Sequence, residues 1–218
     1  MLIWYLARGA GLAAFLWLSV ATALGAYTAR RSASMSVPAL ERRVVLQYLH
    51  RAAAMAGIVL LIGHMSLLLA DSYAHVGWLG ALVPFASGYR PLAVTLGLLA
   101  MYLLVTVAVT GMLRARFAVS ARGARLWRGI HLGSYLAWAA SAWHFMLAGT
   151  DSSQWWARAV LFTGIGLVFL GLVGRLADRH LITTRTVAPG SASGQVTGSG
   201  RHAGPIPAAG NHLQGARR

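Results

Sequence analysis

The chain has 218 residues, of which 57% are hydrophobic and only 11% are charged. A soluble domain typically carries about 25% charged residues, so this composition excludes an ordinary soluble globular protein. The net charge is +15, with arginine as the basic residue and no lysine. The arginines lie in short segments between apolar stretches, which disfavours nucleic-acid binding and is typical of a protein oriented in a lipid membrane. The absence of cysteine excludes disulfides and thiolate-bound iron–sulfur clusters.

Five apolar stretches are the predicted elements, and each has close to the ~20 residues that cross a hydrocarbon core. They cover about residues 9–27, 52–70, 91–113, 129–148 and 155–173. The third begins with Pro91, which suits the first turn of a helix. The fifth begins with Trp155 and Trp156, a pair typical of the membrane interface. The sequence therefore predicts an all-α integral membrane protein, a bundle of five transmembrane helices.

Arginine is distributed unevenly among the connections. Most of it follows the first, third and fifth stretches: Arg30, Arg31, Arg42, Arg43, Arg51, Arg114, Arg116, Arg122, Arg125, Arg128, Arg175, Arg179 and Arg185. By the positive-inside rule, the N-terminus is expected outside the plasma membrane and the C-terminus in the cytoplasm. A cleaved signal peptide is the alternative for the first stretch, because small residues follow it.

The composition changes near the end of the chain. Residues 1–185 are predicted to form the membrane domain, whereas residues 186–218 are rich in glycine, serine and alanine and are predicted to be a disordered cytoplasmic tail. The longest outer connection, residues 71–90, contains many apolar and aromatic residues. We expect it to lie on the membrane surface or to cap the outer end of the bundle.

Four histidines lie in the second and fourth stretches, and ionisable residues inside a membrane are candidates for function. His50 and His64 are fourteen residues apart, and His131 and His144 are thirteen apart. At 1.5 Å per residue these spacings correspond to rises of about 21 and 19.5 Å. Because the two stretches run parallel, His50 shares a depth with His131 near the cytoplasmic face, and His64 shares one with His144 near the outer face. Each pair could hold a haem iron between two helices.

The angle between the histidines is less favourable than their depth. Fourteen residues at 100° each return within about 40° of the starting face, whereas thirteen leave the side chains of the fourth stretch about 100–140° apart. We therefore expect either a relative rotation of the two sites or a departure from ideal helix geometry, for which Gly133 is the candidate position.

Other polar residues receive weaker predictions. Arg51, Arg128 and Arg90 lie near the membrane faces, where haem propionates would emerge. Positive-inside topology alone also explains Arg51 and Arg128. His75 is expected to be a solvated loop histidine rather than a contact for an electron acceptor or a metal, and His180 is expected at the inner interface.

The two histidine segments, LHRAAAMAGIVLLIGHMSLLLAD and LWRGIHLGSYLAWAASAWHFMLAG, resemble the ferric reductase-like transmembrane domain. Ferric reductases, NADPH oxidases and the haem-binding membrane subunit of methionine sulfoxide reductase systems share this domain. The resemblance covers about residues 8–175, and the paired spacings are its most specific part. It implies two haems b, the inner one on His50 and His131 and the outer one on His64 and His144. Family members often have six helices, one more than predicted here.

The predicted function is transmembrane electron transfer by a di-haem b-type cytochrome, the membrane component of an oxidoreductase. The residues after the fifth stretch show no strand pattern and no glycine-rich nucleotide loop, so a separate flavoprotein reductase or quinol is expected to supply electrons. Ferric iron, oxygen or a flavin protein are the candidate outer acceptors. A proton-relay transporter and a cofactor-free assembly subunit are the alternatives. The first is disfavoured because no carboxylate lies within a predicted span.

Overall fold

The computed structural model describes residues 2–29, 37–71 and 76–187, with side chains in the last helix described as far as residue 177. The ordered elements in these ranges are all helical. They are α1 (Leu2–Thr28), α2 (Val37–Ala70), α3 (Gly77–Leu82), α4 (Pro91–Met112), α5 (Arg114–Phe117), α6 (Ala121–Ala148) and α7 (Trp155–Val187).

Four helices in the described ranges are long and apolar enough to cross a membrane: α1, α2, α4 and the Trp155–Ala177 part of α7. This finding confirms a helical membrane protein. α6 has sufficient length, with 28 residues, but it is less apolar. Its histidines, serines and several aromatic side chains lower the mean hydropathy of its second half, and arginines occupy its first turns. A fifth membrane-crossing helix therefore remains a prediction.

The helices are longer than the predicted apolar stretches. α1 begins at Leu2 rather than near residue 9, α2 begins at Val37 rather than near 52, and α6 begins at Ala121 rather than near 129. α7 continues to Val187, so the predicted boundary at residues 185 and 186 falls inside this helix. Arginine, glutamate and glutamine are good helix formers, and the end of an apolar stretch is therefore not the end of a helix. The predicted tail beyond residue 187 lies outside the described residues.

α1 is the central helix of the bundle. It packs against α2, α6 and α7, while α4 packs against α6. Small residues allow these close contacts, as is typical of helix interfaces in membranes. Gly57 of α2 lies against Leu18, and Gly171 of α7 lies against the backbone of Ala23. α2 and α6, which carry the histidines, do not pack extensively against each other in the described part of the chain.

The described part of the connection between α2 and α4, residues 76–90, packs over one end of the bundle. Val76 and Ala81 form a small apolar cluster with Trp4 of α1 and with Met65, Leu68 and Leu69 of α2. The Phe85 amide donates to the Thr95 hydroxyl at 2.8 Å, which ties this connection to α4. His75 lies outside the described residues, and the side chain of His180 is not among those described.

Gly171→Ala should lower the stability of the bundle. A Cβ at residue 171 would lie 2.6 Å from the carbonyl oxygen of Ala23 and 2.9 Å from its Cα. Both are backbone atoms of α1, so neither can move away by a side-chain rotation. α7 must then move away from α1, at a cost typical of overpacking, about 1–3 kcal/mol. Thermal unfolding of the detergent-solubilised protein measures this loss. Gly166→Ala is the control, because a Cβ there meets no atom within 4 Å; equal destabilisation by both changes would contradict the described packing.

Candidate haem-binding site

Three of the four histidines contact the backbone of a neighbouring helix through Nδ1. Each Nδ1 lies within hydrogen-bond distance of a helix carbonyl oxygen: His50 to Ala21 at 2.8 Å, His64 to Ala7 at 2.7 Å, and His144 to Ala93 at 2.7 Å. A carbonyl oxygen can only accept, so each Nδ1 carries the proton and donates. In a neutral imidazole the other nitrogen, Nε2, then keeps its lone pair for a ligand.

A glycine one turn after each carbonyl allows this approach. A Cβ at Gly97 would lie 2.7 Å from Nδ1 of His144, and a Cβ at Gly11 would lie 2.9 Å from Nδ1 of His64. At Gly25 the nearest atom would be Cε1 of His50, at 3.2 Å. We call the carbonyl and the glycine four residues later a histidine seat. The three seats are Ala7–Gly11, Ala21–Gly25 and Ala93–Gly97.

The spacing of the seats explains why both histidines of α2 reach a backbone carbonyl of α1. The two seats on α1 begin at Ala7 and Ala21, fourteen residues apart, and His50 and His64 are also fourteen apart. α1 and α2 are antiparallel, since His64 contacts Ala7 and His50 contacts Ala21. The same residue spacing on two packed helices brings both pairs into register.

His131 is the exception. Its Nδ1 is buried and has no hydrogen-bond partner among the described residues. Its ring instead stacks on Trp127, with ring centroids 5.0 Å apart and ring planes at 23°.

The equivalent position on α4, fourteen residues after Ala93–Gly97, is Val107–Gly111, but no histidine occupies it. A Cβ at Gly111 would meet no atom within 4 Å. The carbonyl of Val107 instead lies 3.1 Å from the hydroxyl of Thr110. The thirteen-residue spacing on α6 is one residue shorter than the seat spacing, and one residue corresponds to a rotation of about 100°. His131 therefore points away from this seat.

The predicted irregularity at Gly133 is not found. α6 is one uninterrupted helix from Ala121 to Ala148, and the nearest neighbour of a Cβ at Gly133 would be a methyl group of Val107, at 3.9 Å. The histidines of α6 are thirteen residues apart and the seat positions on α4 are fourteen apart. This difference changes the orientation of His131 and does not break the helix.

The structure brings His50 and His131 close together, and their pairing as ligands stays a prediction. The ring centroids of His50 and His131 are 6.2 Å apart, with ring planes at 65°. His64 contacts the backbone of α1 at Ala7, and His144 contacts the backbone of α4 at Ala93. The first pair lies at the arginine-rich end of the bundle, defined by the α1–α2 and α4–α6 connections. The second lies at the opposite, arginine-poor end.

The spacing of the His50–His131 pair suits an iron atom between the two rings. A metal–imidazole bond of about 2.0 Å puts each ring centroid roughly 3 Å from the metal, and two such rings are then about 6 Å apart. The described residues contain no group of three or more histidine, aspartate or glutamate side chains that could hold a metal ion. The 6.2 Å between the rings of His50 and His131 is compatible with two axial ligands to a cofactor that brings its own equatorial ligands, as haem does.

The predicted propionate partners are exposed. Arg51 and Arg128 lie at the arginine-rich end and have exposed side chains, so they remain candidates only by position. Arg90, at the arginine-poor end, donates to the carbonyl oxygen of Leu147 at 2.7 Å. At the same end, Arg8 forms an ion pair with Asp151.

An aromatic cluster lies on α1 and α6, and at Trp138 it falls between the two histidines of α6. Trp138 donates from Nε1 to the hydroxyl of the buried Ser19 at 2.8 Å. Phe15 stacks on Trp138 and on Phe145, with centroids 6.1 Å apart in both pairs. Sequence analysis missed this cluster and the histidine seats. The seats had a usable signal, the pattern Ala-x-x-x-Gly at residues 7–11, 21–25 and 93–97.

Comparisons with protein-family models, with curated proteins and with solved structures found no match. The resemblance to the ferric reductase-like domain therefore remains a prediction from the two histidine segments. The function has to be inferred from the four histidines and the residues that hold them.

Gly97→Ala should displace His144 from its seat. The new Cβ would lie 2.7 Å from Nδ1 and 2.8 Å from Cε1 of the ring, so the ring must turn and its hydrogen bond to Ala93 is lost. Solid-state ¹⁵N NMR of histidine-labelled protein, kept reduced so that any bound low-spin iron is diamagnetic, should show the loss of one hydrogen-bonded Nδ1 signal. Gly111→Ala is the control and should leave the spectrum unchanged. Retention of this signal in the Gly97→Ala variant would contradict the hydrogen bond of His144 to the Ala93–Gly97 seat.

Proposed function

We propose that this protein is a di-haem b-type membrane cytochrome, the membrane subunit of a ferric reductase-like electron-transfer system. The observation that carries the proposal is the hydrogen bond from Nδ1 to a seat carbonyl in three of four paired histidines. It leaves Nε2 of His50, His64 and His144 as a lone-pair donor. His131 completes the pair with His50.

This arrangement is typical of histidines that bind metals. Such a histidine usually donates its second ring N–H to a carbonyl or carboxylate, which fixes the tautomer and the ring orientation and raises the basicity of the ligand. A buried histidine can also make one such bond for packing alone. Here the same bond recurs three times, each time over a glycine that lets the ring approach the backbone, and the histidines fall into two pairs.

The residues of the chain hold and shield the proposed haems. A haem b with two histidine ligands supplies a one-electron couple and leaves no open position on the iron for oxygen. The seats fix the orientation of three rings, and α2 and α6 do not pack extensively against each other. Trp138 and Phe15 fill space on the α1–α6 side of the bundle with apolar rings. Arg51 and Arg128 would compensate propionate charge at the arginine-rich end.

The proposed topology has α6 as the fifth membrane-crossing helix and the arginine-rich end in the cytoplasm, in the plasma membrane. Electrons would pass singly from the haem at the cytoplasmic end to the haem at the outer end. A flavoprotein or quinol would be the donor, and ferric iron, oxygen or a flavin protein the acceptor. A proton relay would instead need carboxylate partners for the histidines, and no aspartate or glutamate lies within a predicted span.

His64→Ala and His144→Ala should each remove the haem at the arginine-poor end. The purified wild-type protein should show a Soret band and the reduced α-band of haem b, and each variant should lose roughly half of that absorbance, because two haems contribute to it. His202→Ala, which changes a histidine outside the four, is the control. A wild-type spectrum without these bands would overturn the cytochrome proposal and favour a cofactor-free assembly subunit.

Electron transfer across a membrane tests the function separately from haem binding. Proteoliposomes that enclose ferricyanide should reduce it when dithionite is added outside, because the two haems together span the bilayer. His64→Ala should reduce the rate to that of protein-free liposomes, since the remaining haem lies at one face. Unchanged rates in this variant would show that the two haems do not form the pathway.

A further inference from the structure

His131 belongs to a stack of three groups at the arginine-rich end. The guanidinium of Arg114, in α5, lies 5.1 Å from the ring centroid of Trp127. The indole of Trp127 stacks on His131 with centroids 5.0 Å apart, and His50 faces the other end of the series, 6.2 Å from His131. The order is therefore a cation, an indole and then the two histidines of one pair.

Ring stacking on Trp127 is the contact that restrains the side chain of His131. Nε1 of Trp127 and Nδ1 of His131 are both buried, and neither has a hydrogen-bond partner in the described part of the chain. The seat that matches the other three, Val107–Gly111, does not take the ring, and the hydroxyl of Thr110 lies beside its carbonyl. Trp127 is four residues before His131, so the two side chains share one face of α6.

We propose that Trp127 is the positioning residue for His131 and that Arg114 holds Trp127 in place, so that the two haem sites are not equivalent. The site at the arginine-poor end has two ligands fixed by carbonyl hydrogen bonds. The site at the arginine-rich end has one ligand fixed in this way and one fixed by stacking. This inference rests on the proposed function.

The difference has two chemical consequences. A ligating imidazole with no acceptor at Nδ1 is less basic than one that donates to a carbonyl, and it stabilises ferric iron less. The haem on His50 and His131 should therefore have the higher midpoint potential of the two. The second consequence concerns ligation. Removal of the stack should let the His131 imidazole leave the iron more readily, and a coordination position then opens at this haem.

The test uses the protein with both haems bound and five variants of it. Trp127→Ala removes the stack, Trp127→Phe keeps an aromatic ring there, and Arg114→Gln removes only the cation. Trp143→Ala is the matched control, because Trp143 is an exposed tryptophan of the same helix that directly precedes His144. The readouts are a redox titration of the α-bands and the carbon monoxide difference spectrum of the reduced protein, which reports an open iron position. The His131→Ala variant should lack the haem of the His50–His131 pair, and it therefore identifies which α-band and which midpoint potential belong to that haem.

We expect Trp127→Ala to shift the midpoint potential of the His50–His131 haem alone and to make that haem bind carbon monoxide, or to lose that haem alone. Trp127→Phe should restore the wild-type spectrum, and Arg114→Gln should lower the potential of the same haem. The inference is overturned if Trp127→Ala leaves both potentials unchanged without carbon monoxide binding, or if it affects both haems equally. It is also overturned if Trp143→Ala has the same effect. In each case the wild-type bands remain, so the proposed function still stands; their absence in the wild type would refute that function instead.

Discussion

The arrangement of the site depends on the hydrogen bond that a histidine Nδ1 donates to a helix carbonyl, over a glycine one turn later. A helix carbonyl is already bonded within its own helix, and it accepts a second bond only if another group can come close to the backbone. The glycines at 11, 25 and 97 permit that approach, because a Cβ at any of them would meet the ring. Without these glycines the imidazoles could not reach the carbonyls, and their Nε2 atoms would have no fixed direction.

This constraint also accounts for the arrangement of the helices. α1 carries two seats and must lie beside α2, and α4 carries one and must lie beside α6. In a lipid membrane, small residues at helix contacts let backbones approach, and packing rather than the hydrophobic effect drives association. Gly57 on α2 and Gly171 on α7 serve that purpose around α1. The result is two helix pairs, α1–α2 and α4–α6, which place His50 beside His131.

The sequence predicts the membrane helices and the pairing of the histidines, because both follow from apolar length and from the rise along a helix. The helix ends were less predictable: α2 begins at Val37, well before the apolar stretch, since charged residues also favour helix. Composition alone does not predict a membrane crossing by α6 as it does for the other long helices, because the histidines, serines and arginines of α6 are polar. The contacts of Trp138 with Ser19 and of Arg114 with Trp127 join different helices, and residue spacing on one helix does not report them.

The thirteen-residue spacing on α6 sets a limit on symmetry within the bundle. Two sites with identical ligation would need His131 to reach the seat at Val107–Gly111, and the rotation of one residue prevents this. The stack on Trp127 gives this histidine a different environment from that of His50, His64 and His144. A higher midpoint potential at the His50–His131 haem would make the proposed electron step to the outer haem uphill between the two haems, so the donor and the outer acceptor would supply the driving force.

The most direct test of this account is the amount of haem bound per polypeptide. Protein purified from haem-replete cells can be assayed as the pyridine haemochromogen and compared with its concentration from amino-acid analysis. Two axial histidine pairs predict two haems b per chain, both low-spin in the oxidised protein. A ratio of one would leave one histidine pair without its haem, and a ratio near zero would contradict the cytochrome altogether.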